Sequence, residues 1–193
     1  MKSPTEEILL KPCDIFLTRG SGIISRMIQT FTRSFGESRT MVNHVGLVIE
    51  EGTIETALII EARSYVRRTT LFEAYGSKED LIAIYRPLNL TDEEKKSIMS
   101  TVETLEGKEY GYLKLIAHFL DWCLFGIYLF RRFANDPYYP ICSYLVSRSF
   151  AEVGKDFGVR AGKASPDDIW DYIQSHPDNY REVLSLRRIF SHN

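Results

Sequence analysis

Short runs of apolar and β-branched residues alternate with turn-forming residues through the first half of the chain. The runs are CDIFLT at 13–18, HVGLVIE at 44–50, LIIEA at 58–62 and LIAIYRP at 81–87. Runs of this length and composition, bounded by turn residues such as Glu51 and Gly52, are typical of β-strands. The pattern therefore predicts a sheet built from these segments.

Helical periodicity dominates the other segments. Helices are predicted over 24–35, from Thr91 to Gly107, over 112–133, from Cys142 to Gly154 and from Ser165 to His176. The clearest starts are the capping box of Thr91 with Glu94 and the N-cap pair Ser165-Pro166. Since the strands and helices alternate without βαβ regularity, the predicted fold class is α+β.

Length, composition and charge limit the classes of protein to which this chain could belong. A chain of 193 residues, 44% hydrophobic and 26% charged, predicts a single folded domain over 1–193. The net charge of −2 gives no basic field that would attract nucleic acid. Glu6 and Glu7 interrupt the apolar stretch that an export signal needs, so the expected location is the cytoplasm.

The most apolar segment, 112–130, carries Lys114, His118 and Asp121. These side chains make a membrane-spanning helix an unfavourable interpretation, and the segment predicts a buried or interfacial helix instead. Peripheral contact with a membrane stays open, whereas no transmembrane helix is expected. The sequence does not specify an oligomeric state.

The cysteines differ in their local setting. Cys13, Cys123 and Cys142 are odd in number and far apart, which argues against a disulfide framework. Cys142 alone opens an amphipathic helix, where free amides and the helix dipole favour the thiolate over the thiol. Cys13, in a strand, and Cys123, in an apolar helix, are expected to be inert buried thiols.

His44 and Glu61 are the candidate partners of that thiolate. His44 opens a strand beside Gly46, which would allow another element close to the backbone, and imidazole can accept and return a proton near neutral pH. Glu61 lies inside the apolar run LIIEA, so it should face a partner or an aqueous cleft. The alternatives are a strand histidine without chemistry and an edge-strand charge that opposes aggregation.

Other chemistries find less support in the sequence. A zinc site could be assembled from His44, His118 and Cys142, but no local ligand pair such as CxxC or HxxxH is present. Serine catalysis of the nucleophile-elbow type would need a GxSxG motif, which the chain lacks.

Five segments occur in the order seen in one family. They are NHVGLVIEEG, IIEA, GKEYGY, ICSYLV and SPDDIWDYI. Together they resemble the circularly permuted NlpC-type papain-like proteins, notably the YiiX-like group, over about residues 12–175. The permuted order has the histidine before the cysteine, as His44 and Cys142 stand here. This family often has Gly-Asp at its first strand, whereas this chain has Cys13-Asp14.

The resemblance implies a circularly permuted papain-like fold, in which an antiparallel sheet packs against the helix that carries the nucleophilic cysteine. It also implies Cys142 as nucleophile, His44 as base and Glu61 as the residue that orients the imidazole. Tyr110 and Tyr112 would border the substrate cleft, although aromatic residues there could equally be packing groups.

The expected function is that of a cysteine-dependent acyl hydrolase or amidase that acts through a thioester and needs no metal or organic cofactor. Its substrate would be a peptide, a cell-wall fragment, or an N-acyl or lipid amide or ester; the lipid substrates are implied by resemblance to the lecithin retinol acyltransferase-like relatives. The alternative is a module with a papain-like cleft that binds a lipid or peptide without turnover.

Overall fold

The computed structural model describes residues 8–20, 41–63, 65–77, 80–108 and 142–190. Their strands are β1 (Leu9–Leu10), β2 (Ile15–Arg19), β3 (His44–Glu50), β4 (Gly52–Thr53), β5 (Leu58–Ala62), β6 (Val66–Thr70), β7 (Leu81–Pro87) and β8 (Tyr180–Arg188). The helices are α1 (Leu71–Tyr75), α2 (Asp92–Leu105), α3 (Cys142–Ala151) and α4 (Pro166–Ser175), with a 3₁₀ turn at Ala161–Lys163.

Six of the strands form one antiparallel sheet in the order β6-β5-β3-β2-β7-β8. The short strands β1 and β4 pair separately. In the large sheet, β3 and β5 are interior neighbours, and each is joined to partners on both sides. Side chains on these two strands are therefore shielded at both flanks of the strand, and only their ends open toward loops.

Each face of the sheet packs against its own layer. On one face, side chains such as Leu17 and Leu47 form a core with Val102 of α2, Val146 of α3 and Ile169 of α4. The opposite face forms a second core, in which Phe16, Val48, Ile59 and Ile84 pack with Leu71 and Tyr75 of α1. The alternation of side chains along each strand divides the apolar residues between these two cores.

The α+β prediction is confirmed, and several elements lie where the pattern placed them. The strands at 44–50, 58–62 and 81–87 match the predicted bounds. At the start of α2, the Glu94 amide donates to Thr91 Oγ1 over 3.2 Å and Glu94 Oε2 accepts from the Thr91 amide over 2.7 Å. Ser165 and Asp168 form the equivalent reciprocal cap on α4.

The first predicted strand, 13–18, was placed too early. β2 begins at Ile15, because Cys13 adopts a left-handed backbone with φ of 71° and cannot continue a strand. Cys13 and Asp14 instead form a turn whose backbone binds Val48: the Cys13 amide donates to the Val48 carbonyl, and the Val48 amide donates to the Asp14 carbonyl.

Besides the two-residue strands β1 and β4 and the 3₁₀ turn, the elements β6, α1 and β8 were not predicted. β6 and α1 are five residues each, too short for a clear period, and β8 is largely exposed along its length. The helices predicted over 24–35 and 112–133 lie outside the described residues. Within the described part of the chain, no helix combines the length and the apolar character needed to cross a membrane.

Candidate active site

Sheet register places His44 and Glu61 side by side. β3 and β5 are antiparallel neighbours in which Gly46 lies opposite Glu61. His44, two residues from Gly46, projects to the same face and is the diagonal neighbour of Glu61. His44 Nε2 lies 3.0 Å from Glu61 Oε2. The contact that the sequence could only suggest from a separation of 17 residues is therefore present.

Gly46 makes room for an aromatic ring beside this pair. A Cβ atom at position 46 would lie 2.5 Å from two ring carbons of Phe16 and 2.6 Å from the Ile60 carbonyl oxygen. The Phe16 ring occupies this space with its centroid 6.4 Å from that of His44. The predicted close approach at Gly46 is confirmed, and the approaching group is the Phe16 side chain from β2.

Cys142 is the first residue of α3 and is 3% exposed. Its side chain forms a hydrogen bond with the His44 imidazole, and the two groups also interact through charge. Because His44 Nε2 is bound to Glu61, Nδ1 is the ring nitrogen left for the sulfur. The imidazole thus connects the thiol of Cys142 to the carboxylate of Glu61.

The charge state of His44 follows from these two contacts. Burial alone would lower its pKa, but the charge of Cys142 and its hydrogen bond, followed by the hydrogen bond and charge of Glu61, raise the pKa of His44 to about 9. At neutral pH the imidazole therefore carries a proton, with Cys142 on one side and the carboxylate of Glu61 on the other. A protonated imidazole in this position favours the thiolate form of Cys142.

Glu61 is fully buried and surrounded by donors. Its Oε1 atom lies 2.9 Å from Arg67 Nη2 and 2.9 Å from Arg63 Nε, while Oε2 accepts a 2.8 Å hydrogen bond from the Tyr75 hydroxyl in addition to the contact with His44. Burial would raise the pKa of Glu61, but the hydrogen bond and charge of His44, the charge of Arg63 and the hydrogen bond from Arg67 bring it well below its usual range. The carboxylate stays ionised.

The edge-strand interpretation of Glu61 is excluded, since β5 lies inside the sheet. Sequence reasoning missed Arg63, Arg67 and Tyr75. Arg67 could have been found from strand pairing, because it lies directly opposite Glu61 across the β5–β6 hairpin. Tyr75 belongs to the unpredicted α1, and the Arg63 guanidinium lies 4.8 Å above its ring.

One segment contacts both the helix of Cys142 and the chain just before His44. Ser143, next to Cys142, donates its hydroxyl to the Ala164 carbonyl. Ser147, one turn later, donates to the Ala161 carbonyl over 2.9 Å. On the other side, Asp167 Oδ1 accepts a 3.1 Å hydrogen bond from the Met41 amide. Residues 161–167 therefore help to set the position of α3 relative to the start of β3.

The other candidate residues are resolved only in part. Cys13 is 1% exposed, and burial raises its pKa to about 12, as expected for an inert thiol. Tyr110 and Tyr112, predicted to border the cleft, lie outside the described residues, as do His118 and Cys123. A groove of about 450 Å³ runs between α2 and α3, but Thr101, Tyr144 and Arg148 are among its lining residues, and Cys142 and His44 are not.

No protein-family model matches the chain, and no curated protein matches its sequence. Among solved structures, the fold is similar to that of the metalloprotein YiiX from Escherichia coli O157:H7, with a TM-score of 0.60 and 15% sequence identity. The similarity covers 94% of this chain and 98% of that chain. At this identity the likeness establishes a shared mixed fold of antiparallel strands and helices.

Proposed function

We propose that the protein is a cysteine-dependent acyl hydrolase or amidase in which Cys142 is the nucleophile. The observation that carries the proposal is the unbroken series of contacts from Cys142 through His44 to a buried, ionised Glu61. Activation of a cysteine by an imidazole that a third group orients is the recurring arrangement of thiol hydrolases. The His44-before-Cys142 order, on a YiiX-like fold, supports a circularly permuted papain-like arrangement.

In the first half of the proposed reaction, the Cys142 thiolate adds to the carbonyl carbon of an amide or ester. The carbonyl oxygen becomes an oxyanion, for which the Cys142 backbone amide at the start of α3 is the proposed donor. His44 then gives its Nδ1 proton to the departing amine or alcohol as the bond to carbon breaks. The products are a thioester on Cys142, a neutral His44 and the released leaving group.

Hydrolysis of the thioester reverses these roles. Neutral His44 takes a proton from water while the water oxygen attacks the thioester carbon, and the Cys142 thiolate departs as the carboxylic acid forms. An alcohol or amine in place of water would give acyl transfer. Throughout the reaction, Glu61 accepts a hydrogen bond from His44 Nε2–H. This bond keeps His44 Nδ1 directed at the sulfur of Cys142.

The proposed substrates are amides or esters of a peptide, a cell-wall fragment or an acyl lipid. These classes come from the resemblance to papain-like and lecithin retinol acyltransferase-like proteins. Tyr110 and Tyr112 stay proposed cleft residues on the same basis. A substrate screen should therefore include small acyl amides and esters from each of these classes.

The similarity to a metalloprotein raises the question of whether this site could bind a metal ion. Glu61 is the carboxylate in contact with His44. Its Oε1 atom, however, already faces the guanidinium groups of Arg63 and Arg67. A divalent cation there would be repelled by two fixed positive charges. No group of three metal-binding side chains is placed around a common point in the described ranges. The donor set does not fit a metal, and no step is assigned to one.

Alkylation with limiting iodoacetamide tests the proposal directly. Cys142 is expected to label rapidly already below pH 7, because a protonated His44 beside the sulfur favours the thiolate. His44→Ala should slow labelling and shift it to the alkaline pH of an ordinary thiol. Cys13 in the same molecule serves as an internal control for a buried, unactivated thiol.

Slow labelling of Cys142 with an ordinary thiol profile, unaffected by His44→Ala, would overturn the proposal. The protein would then be better explained as a lipid- or peptide-binding module without turnover. In that case, ligand affinity should survive Cys142→Ala unchanged. Intact-mass spectrometry with peptide mapping measures the site and the rate of labelling together.

A further inference from the structure

The two oxygens of Glu61 have different kinds of partner. Among the described residues, Oε1 contacts only guanidinium groups, from Arg63 and Arg67. Oε2 contacts the neutral hydroxyl of Tyr75 and the imidazole of His44. Tyr75 and His44 therefore share one oxygen atom, and both arginines draw on the charge of the same carboxylate.

Sharing has a physical consequence for His44. A carboxylate stabilises a nearby imidazolium in proportion to the negative charge that other donors leave available. The ionisable groups that face the His44–Glu61 pair in the described residues come from several elements: Cys142 from α3, Arg63 from the end of β5, Arg67 from β6 and Tyr75 from α1. Because Arg63, Arg67 and Tyr75 each contact the Glu61 carboxylate, they would oppose its effect on His44.

We propose that Tyr75, Arg63 and Arg67 are positioning residues that fix the Glu61 carboxylate and limit how strongly it stabilises the proton on His44. The inference deepens the proposed function and rests on it. With fewer donors on Glu61, His44 would retain its proton too firmly to pass it to a leaving group.

The surroundings of Tyr75 make its hydroxyl a fixed donor. The side chain is 1% exposed, and its ring meets that of Phe16 edge-on with centroids 6.0 Å apart. The Arg63 guanidinium covers the ring at 4.8 Å. The Tyr75 hydroxyl also forms a hydrogen bond with Arg63. Tyr75→Phe therefore removes the donor to Glu61 and the bond to Arg63, and it retains the packing of the ring.

Tyr75→Phe is the main variant, and NMR titration of His44 is the main measurement. The wild-type His44 should titrate near pH 9, and Tyr75→Phe should raise that pKa by about half a unit. His44 is assigned among the four histidines by the signal lost in His44→Gln.

Tyr85→Phe is the matched control. The Tyr85 hydroxyl also contacts a glutamate, Glu182, over 3.1 Å, and it accepts a 2.8 Å hydrogen bond from Gln174. It makes the same type of contact without touching Glu61. Tyr85→Phe should leave the His44 titration unchanged.

Arg67→Gln provides a second test, because loss of a positive charge beside Glu61 should also raise the pKa of His44. If Tyr75→Phe does not fold, the His44 titration in Arg67→Gln tests the inference in its place. An unchanged or lowered His44 pKa in the folded variants overturns the inference, even if wild-type Cys142 labels rapidly. Slow labelling of wild-type Cys142 would instead count against the proposed function, so the two failures are distinguishable.

Discussion

Two buried carboxylates in this protein bind arginine in different ways. Asp14 is fully buried, and Arg86 contacts both of its oxygens, with Nε 2.7 Å from Oδ1 and Nη2 2.6 Å from Oδ2. Oδ2 also accepts the Lys11 amide over 2.8 Å. Glu61 is equally buried, but its arginines approach one oxygen and leave the other to Tyr75 and His44.

The difference separates a structural ion pair from one to which we assign a function in the proposed reaction. A bidentate arginine satisfies the whole carboxylate of Asp14 and joins the Cys13-Asp14 turn to β7. At Glu61, the arginines stabilise the buried charge while one oxygen remains in contact with a group that can gain and lose a proton. Burial and an arginine partner are common to both, so the histidine on the second oxygen is the distinguishing feature.

The largest expected effect is the loss of stability in Arg86→Met. The Asp14 carboxylate would stay buried without its charged partner, and we expect the free energy of unfolding to fall by about 3 to 5 kcal/mol. Urea denaturation measures this change. Arg148→Met, which removes a partner from the exposed pair of Arg148 with Glu152, should cost about 0.5 kcal/mol or less.

The comparison also requires that Arg86→Met leave the chemistry of Cys142 intact. Below the unfolding transition, the pH dependence of its alkylation should match that of the wild type. If the profile moved as it would after a change at Glu61, the division between a structural and a functional carboxylate would be wrong.

Glu61→Gln should have a smaller effect on stability and a specific effect on His44. Arg63 and Arg67 are 31% and 34% exposed and can be solvated in part, so we expect a loss of about 1 to 3 kcal/mol. Because the negative charge of Glu61 favours the imidazolium, its removal should lower the pKa of His44 from about 9 by about one unit or more.

Two measurements check Glu61→Gln, namely the His44 titration and the rate of Cys142 alkylation at pH 7. The pKa of His44 and the rate of Cys142 alkylation should both be lower in Glu61→Gln than in the wild type. Arg86→Met should change neither quantity. An unaltered titration in folded Glu61→Gln would mean that Glu61, like Asp14, serves the fold alone.

The sequence predicted the three contacting residues of the candidate site from local signals. Cys142 was singled out by its helix start, His44 by its strand start and Glu61 by a charge within an apolar run. Each signal reflects a cost or benefit within a few residues of the chain, which is why pattern alone could find it. The contact between His44 and Glu61 needed only the correct pairing of two predicted strands.

The surroundings of Glu61 were beyond the same method. Arg67 and Tyr75 lie on β6 and α1, whose five residues each show no decisive period. A local clue did exist, because Thr70 and Glu73 form a capping box at the start of α1. The placement of Tyr75 against Glu61 nevertheless depends on long-range packing with Phe16, which no local pattern encodes.

The smallest effect is expected at Cys13, beside the structural carboxylate. Cys13 has a φ of 71°, a conformation in which a side chain costs about 1 to 2 kcal/mol and glycine costs little. Cys13→Gly should therefore be more stable than Cys13→Ala by about 1 kcal/mol, as measured by urea denaturation. Both variants lose the buried sulfur, so the difference between them isolates the backbone.

Ala83→Gly is the control for this comparison, since Ala83 lies within β7 at an ordinary strand conformation and is fully buried. There, glycine should be the less stable residue by about 0.5 to 1 kcal/mol or more. Opposite signs at the two positions would show that the Cys13-Asp14 turn retains a glycine-like backbone, so that the bidentate pair of Asp14 with Arg86 stabilises a strained turn. If glycine were the less stable residue at both positions, the left-handed backbone at Cys13 would not be needed for Asp14 to reach Arg86.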